Sequence, residues 1–191
     1  MKTLASSLFR HCSWLRTLIL SVTLAAVPMV AQAAGLHVGA AAVPFKADDA
    51  MDIGGSILAG RMKGQEGELR AVAVVLQKDS VKVAIVACDV LMLTRDLLDP
   101  VAAEIEKTTG IPAARVLINA THTHHAPSTV TVHGYARVEA FCQEVQRGVV
   151  KAVQQANANL SPDDCRFFFR LGEEPTVGEN SRKLLADGSI F

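Results

Sequence analysis

The sequence predicts a mixed α/β (α+β) domain, a layered mixed β-sheet with flanking helices. Three observations carry this expectation. Valine-rich apolar runs of strand length recur at Leu69–Leu76, Val81–Cys88 and Arg115–Ala120. Two other segments, Asp96–Thr109 and Val138–Ala158, space their apolar residues at helical intervals. Strands and helices alternate after residue 80, as they do when helices lie on a sheet.

The first 33 residues stand apart from this pattern. Lys2, Arg10, His11 and Arg16 form a basic stretch without an acid, an apolar run follows from Leu18 to Val27, and Pro28 and Ala31-Gln32-Ala33 close it. Basic, apolar and small-residue regions in that order make a secretory signal peptide. The apolar run is about half the length of a bilayer-spanning helix. The expectation is a leader at 1–33 and a secreted or periplasmic domain at 34–191, with no transmembrane segment in the mature chain. Without Lys2, Arg10 and Arg16, 16 basic side chains face 19 acidic ones. A mildly acidic chain without basic runs does not suit nucleic acid. Half its residues are hydrophobic, which excludes a disordered chain.

Gly35–Val43 reads as the first strand, and residues 44–68, rich in glycine without fixed spacing, as a surface loop over a site. Gln77-Lys78-Asp79-Ser80 joins the next two runs into a hairpin. In the first helix Leu97, Val101, Ile105 and Thr108 share a face, and Gly110 is its stop signal. In the second, Val138, Phe141, Val145, Val149 and Val153 line one side. Arg166–Leu171 reads as a further strand whose Phe167, Phe168 and Phe169 imply burial on both faces, and Asp187-Gly188 as the turn that starts a hairpin whose second strand is missing. Cys88 lies in an apolar run as a buried thiol. Cys142 and Cys165 are candidates for a disulfide in an oxidising compartment.

The chemistry concentrates after the strand Arg115–Ala120, in Thr121-His122-Thr123-His124-His125-Ala126-Pro127. In an extended chain residues i and i+2 point the same way, so His122 and His124 can present two imidazoles to one cation. Neutral imidazole is the commonest metal ligand near pH 7, and zinc is its usual partner in hydrolases. His125 and His133 are open between substrate contact and solvation. Asp89, at the end of Val81–Cys88, is either a further metal ligand, an acceptor behind a ligand, or a strand-end acid. Two histidines do not complete a catalytic zinc, which takes about three protein ligands and a water.

Gly110-Ile111-Pro112, Val116-Leu117-Ile118 and the segment THTHHAP together resemble the N-terminal domain of the neutral/alkaline (non-lysosomal) ceramidase family. His37–Ala41, Gly54-Gly55, Arg70-Ala71, Val83–Val86 with Asp89, Lys151–Pro162 and Asn180–Gly188 resemble further blocks of that family in the same order. The resemblance implies zinc-dependent hydrolysis of an N-acyl amide of the ceramide type, giving sphingosine and a fatty acid. It implies that His122 is a zinc ligand and His124 an inner-site catalytic residue. It also implies that Arg182 and His125 bind substrate, and that the substrate is a lipid-like amide met in peripheral contact with membrane lipid. On this reading the chain is the truncated N-terminal part of a larger catalytic domain.

The chain departs from the family where His125-Ala126 replaces Ser-Gly and where Ser181 replaces an arginine. The family's later histidine, glutamate and tyrosine ligands have no counterpart up to Phe191. Two other readings stay open on the sequence: a catalytically incomplete product, and an exported metal-binding module without catalysis.

Overall fold

The computed structural model describes residues 35–58, 60–176, 178 and 182–190. The expected leader, Asn180 and Ser181 lie outside the described residues. The elements run β1 (Leu36–Pro44), β2 (Arg70–Lys78), β3 (Val81–Cys88), α1 (Arg95–Thr109), a single 3-10 turn (Ala113–Arg115), β4 (Val116–Ala120) and α2 (Glu139–Ala158). They form one four-stranded sheet in the order β1-β2-β3-β4. The first three strands form an antiparallel meander, with Leu36 opposite Lys78 and Lys78 opposite Val81. β4 pairs parallel with β3, Ala84 opposite Val116, after the crossover through α1. The expected mixed sheet with helices is therefore the observed one.

Local chemistry explains the breaks. Asp79 supplies the positive φ (52°) of the tight β2–β3 turn, a conformation that Asp tolerates better than most residues. Gly110 ends α1 in the left-handed conformation, its N–H on the carbonyl of Glu106. α1 buries Leu97, Val101 and Ile105, the face predicted from spacing, whereas the hydroxyl of Thr108 turns back to the carbonyl of Glu104.

The core lies on one face of the sheet. Ala71, Ala73 and Val75 of β2 and Ala84, Val86 and Cys88 of β3 are fully buried there, beneath Phe141, Val145, Val149 and Val153 of α2. Small residues on the strands let the helix sit close. A Cβ at Gly39 would lie 2.0 Å from the carbonyl oxygen of Ala156, and one at Gly148 would lie 2.6 Å from the ring of Phe45. Phe45 meets Phe141 edge-on at 6.0 Å. The other face of the sheet carries exposed Val72, Ile85 and Leu117. Arg137 ties the two helix starts together, bonding to Asp96 of α1 and Glu139 of α2. No described helix is long and apolar enough to cross a membrane.

Two expectations are corrected. Arg166–Leu171 is not a strand, and Phe167, Phe168 and Phe169 are 72–80% exposed. The segment makes one bridge to the sheet edge, Cys165 to Leu36, and then leaves it, so no ladder continues to bury the rings. The Arg166 guanidinium lies 5.4 Å over the Phe168 ring instead. Cys142 and Cys165 are free thiols. Cys142 sits in the first turns of α2 and Cys165 lies beyond its C-terminus, so about 24 Å of helix separates Cys142 from the end that Cys165 follows. A disulfide needs Cα atoms within about 7 Å. Cys88 is buried as expected, and burial first, then the Asp89 carboxylate, pushes its thiol up to about 12. Asp187-Gly188 does form a turn, closed by a bridge between Leu184 and Ile190.

Candidate functional site

The histidine segment leaves the sheet at the C-terminal ends of the parallel pair β3 and β4, a place where α/β sheets commonly open into a site. The bonding between these strands runs on past Ala120: the N–H of Thr121 donates to the carbonyl of Cys88 (2.9 Å) and that of His122 to the carbonyl of Val90 (3.1 Å). Asp89 braces the same corner. Its Oδ2 accepts from the Arg70 N–H (3.1 Å) and its Oδ1 from the Thr121 hydroxyl (3.3 Å), linking β2, β3 and the residue before His122.

His122 is not in extended backbone. Its φ is +63°, a left-handed conformation that costs a non-glycine residue on the order of 1 kcal/mol and recurs at functional sites. The i, i+2 strand geometry expected from the sequence therefore does not hold, because β4 ends at Ala120. The two rings nevertheless meet: His122 and His124 lie edge to face with centroids 5.1 Å apart. Two imidazoles on one tetrahedral zinc place their ring centres about 5 Å apart. Nδ1 of His122 lies 2.9 Å from the carbonyl oxygen of Leu91. A carbonyl only accepts, so Nδ1 carries the proton and Nε2 of the neutral ring keeps its lone pair. Metal-ligating histidines are commonly oriented by such a bond from the other ring nitrogen. Leu91 belongs to the loop between β3 and α1, which Thr129 also holds through its hydroxyl on the carbonyl of Met92 (2.5 Å).

His124 is exposed and rests on Gly55 of the glycine-rich loop, where any Cβ would come within 2.5 Å of the imidazole. Backbone bonds sew this loop to the residues after the histidines. Gly54 N–H donates to the Ala126 carbonyl (2.9 Å) and Ser128 N–H to the Asp52 carbonyl (2.8 Å). The loop thus does flank the histidines, as its composition suggested.

His125 points elsewhere. With Thr123 and Pro127 it lines a cleft of about 820 Å³ whose other wall carries Asp48, Asp49, Lys63 and Glu66. Neither His122 nor His124 lines that cleft, and neither does Arg182, which is exposed. His133 is placed by the backbone: with Gly134 it forms the tight turn (φ 51° and 83°) between Val132 and Tyr135. Among the described residues no group of three or more His, Cys, Asp or Glu side chains is placed to hold a metal ion. His122 and His124 suit zinc by donor chemistry, as a pair rather than as a complete set.

Sequence reasoning did not find the Leu91 carbonyl, which has no side-chain signature, or Tyr135, whose hydroxyl lies 2.7 Å from the amide nitrogen of Gly55.

The fold is an antiparallel meander extended by a parallel β-α-β unit, with both helices in its apolar core, and the two histidines follow the end of β4. Neither a family model nor a curated protein matches the chain by sequence. By fold, it is similar to the neutral ceramidase of Pseudomonas aeruginosa, with a TM-score of 0.59 and 20% identity over 68% of this chain. It is likewise similar to a ceramidase complexed with C2, with a TM-score of 0.57 and 20% identity. The chain thus has a ceramidase-like fold, and it spans 22% of the length of each of those two chains.

Proposed function

We propose that this chain carries part of the active site of a zinc-dependent hydrolase acting on the N-acyl amide of a ceramide-like lipid. The observation that carries the reading is His122, held in left-handed backbone with Nδ1–H on the Leu91 carbonyl, which leaves the Nε2 lone pair to face a cation. The ceramidase-like fold supports the choice of reaction and substrate class.

His122 supplies one zinc ligand through Nε2. His124, edge-on to it, is the inner-site residue that meets water or the amide. Zinc, when bound, acidifies a water and polarises the amide carbonyl. The remaining ligands come from outside the described residues, since catalytic zinc takes about three from protein. Asp89, with both oxygens engaged by Arg70 and Thr121, is a brace for the histidine corner rather than a ligand. His125 reaches substrate through the cleft it lines, and Arg182 is assigned to the substrate's polar head by the family resemblance alone. A leader at 1–33 directs the protein to the periplasm or the exterior, where it meets its substrate at membrane lipid.

The test compares wild-type protein with His122→Ala. In full-length protein that includes the residues supplying the remaining ligands, wild type takes up about one zinc per chain and releases fatty acid from an N-acylsphingosine; the variant loses both. Full zinc content and activity in His122→Ala contradict the proposal.

A further inference from the structure

We infer that Tyr135 is a positioning residue, holding His124 in place through the Gly55 peptide. Tyr135 is the only tyrosine in the sequence and is 3% exposed. Its hydroxyl oxygen accepts the N–H of Gly55 at 2.7 Å, across 80 positions of sequence. Gly55 in turn is the surface against which His124 rests. With φ at +107° and no room for a Cβ, which would stand 2.5 Å from Cγ and 2.8 Å from Nδ1 of His124, the position admits only glycine. A shift of the Gly55 peptide therefore moves the surface under the imidazole directly.

The neighbouring bonds show why the phenol is needed. Ile53 bridges to Pro127, Gly54 N–H donates to Ala126 and Ser128 N–H to Asp52, so the loop is fixed to the backbone beyond the histidines up to Gly54. Among the described residues Gly55 itself has no backbone partner, and the Tyr135 hydroxyl takes its N–H; the loop is next tied back at Gly60, whose carbonyl accepts the Ile53 N–H (2.8 Å). Tyr135 is itself fixed. It exchanges two 3.1 Å hydrogen bonds with Val132 across the His133-Gly134 turn, and Val138 N–H donates to Ser128 (2.8 Å) just before α2 begins. The hold runs from that turn through the phenol and Gly55 to His124. His122, whose ring meets that of His124 edge to face, is oriented separately by the Leu91 carbonyl.

The inference rests on the reading of His124 as an inner-site residue, and the experiment separates the two. Tyr135→Phe keeps the ring and removes the acceptor. In protein with labelled histidine and glycine, the nuclear Overhauser cross-peak between the Gly55 α-protons and the His124 ring is expected to be lost in the variant. The His124 ring signals shift, and those of His37, remote in sequence and held by Ser161, do not. If Tyr135→Phe does not fold, 3-fluorotyrosine placed site-specifically at position 135 weakens the acceptor with little change of shape. The Gly55 amide and His124 ring signals then move together. A folded Tyr135→Phe with the cross-peak at wild-type strength, or fluorotyrosine that moves neither signal, overturns the inference. Titrating wild type with zinc alone tests the metal reading independently. No zinc uptake by full-length protein that includes the remaining ligands removes that reading, while the same cross-peak still decides whether Tyr135 holds His124.

Discussion

Replacing Asp89 by Ala removes the brace beneath the histidine segment, and the structure sets the size of the effect. Two acceptors are lost, one for the Arg70 N–H at 3.1 Å and one for the Thr121 hydroxyl at 3.3 Å. Hydrogen bonds to a charged group contribute about 1.5–3 kcal/mol each when well formed and sheltered. Here the second is long, and Arg70 and Thr121 are exposed, so water replaces part of what is lost. The total is roughly 2 kcal/mol, or about 4–8 °C in thermal midpoint for a domain of this size. Asp89→Asn keeps an oxygen for the Arg70 N–H and loses about half as much. Thermal and urea unfolding of both variants give the stability. Zinc titration gives the functional side, with Asp89→Asn expected to retain zinc on the proposed reading of Asp89 as a brace. The reasoning fails if Asp89→Ala unfolds within about 0.5 kcal/mol of wild type, or if Asp89→Asn loses zinc as completely as His122→Ala does.

Two further predictions concern the core. Burial raises the Cys88 thiol from 9.0 to about 12, so the folded state favours the protonated form. Its contribution is fully present below pH 9 and is lost as pH rises toward 12, on the order of 4 kcal/mol across that window. Unfolding free energies measured from pH 8 to 11 should fall steeply in wild type and less steeply in Cys88→Ala; equal slopes would contradict the burial argument. Gly148→Ala sets two effects against each other. Alanine favours the helix by about 1 kcal/mol, but its methyl would stand 2.6 Å from the Phe45 ring, an overpacking cost of about 1–3 kcal/mol. Packing outweighs propensity, so urea denaturation should show a net loss of roughly 1 kcal/mol; a more stable variant would mean that Phe45 moves freely.

Elements with a strong local period were legible in the sequence. The apolar spacing of Leu97, Val101 and Ile105 and of Phe141, Val145, Val149 and Val153 is decided by the helix itself, and these residues are the buried ones. The valine runs of β2 and β3 pair as expected around Asp79-Ser80. Phe167–Phe169 show the limit, because an apolar run is buried only if another strand or layer reaches it, and that depends on tertiary partners. The histidines show another limit. Their proximity was legible from a two-residue spacing, yet the structure achieves it through a left-handed His122 after the strand has ended. Asp89 was legible as a group at the same sheet edge, while its bonds to Arg70 and Thr121 depended on register. The carbonyl of Leu91 and the phenol of Tyr135 reach the site over 31 and 80 positions of sequence, and no local pattern encodes such contacts.

The central claim is that His122 presents Nε2 to a zinc ion, and histidine ring-nitrogen NMR reads that atom directly. In metal-free protein labelled with nitrogen-15 histidine, His122 is expected as the tautomer protonated at Nδ1, with the Nδ1 proton shifted by its bond to Leu91. On adding zinc, the Nε2 resonance moves to the position of a coordinated nitrogen while Nδ1 stays protonated. A His122 protonated at Nε2, or an Nε2 resonance that zinc leaves in place, would contradict the account.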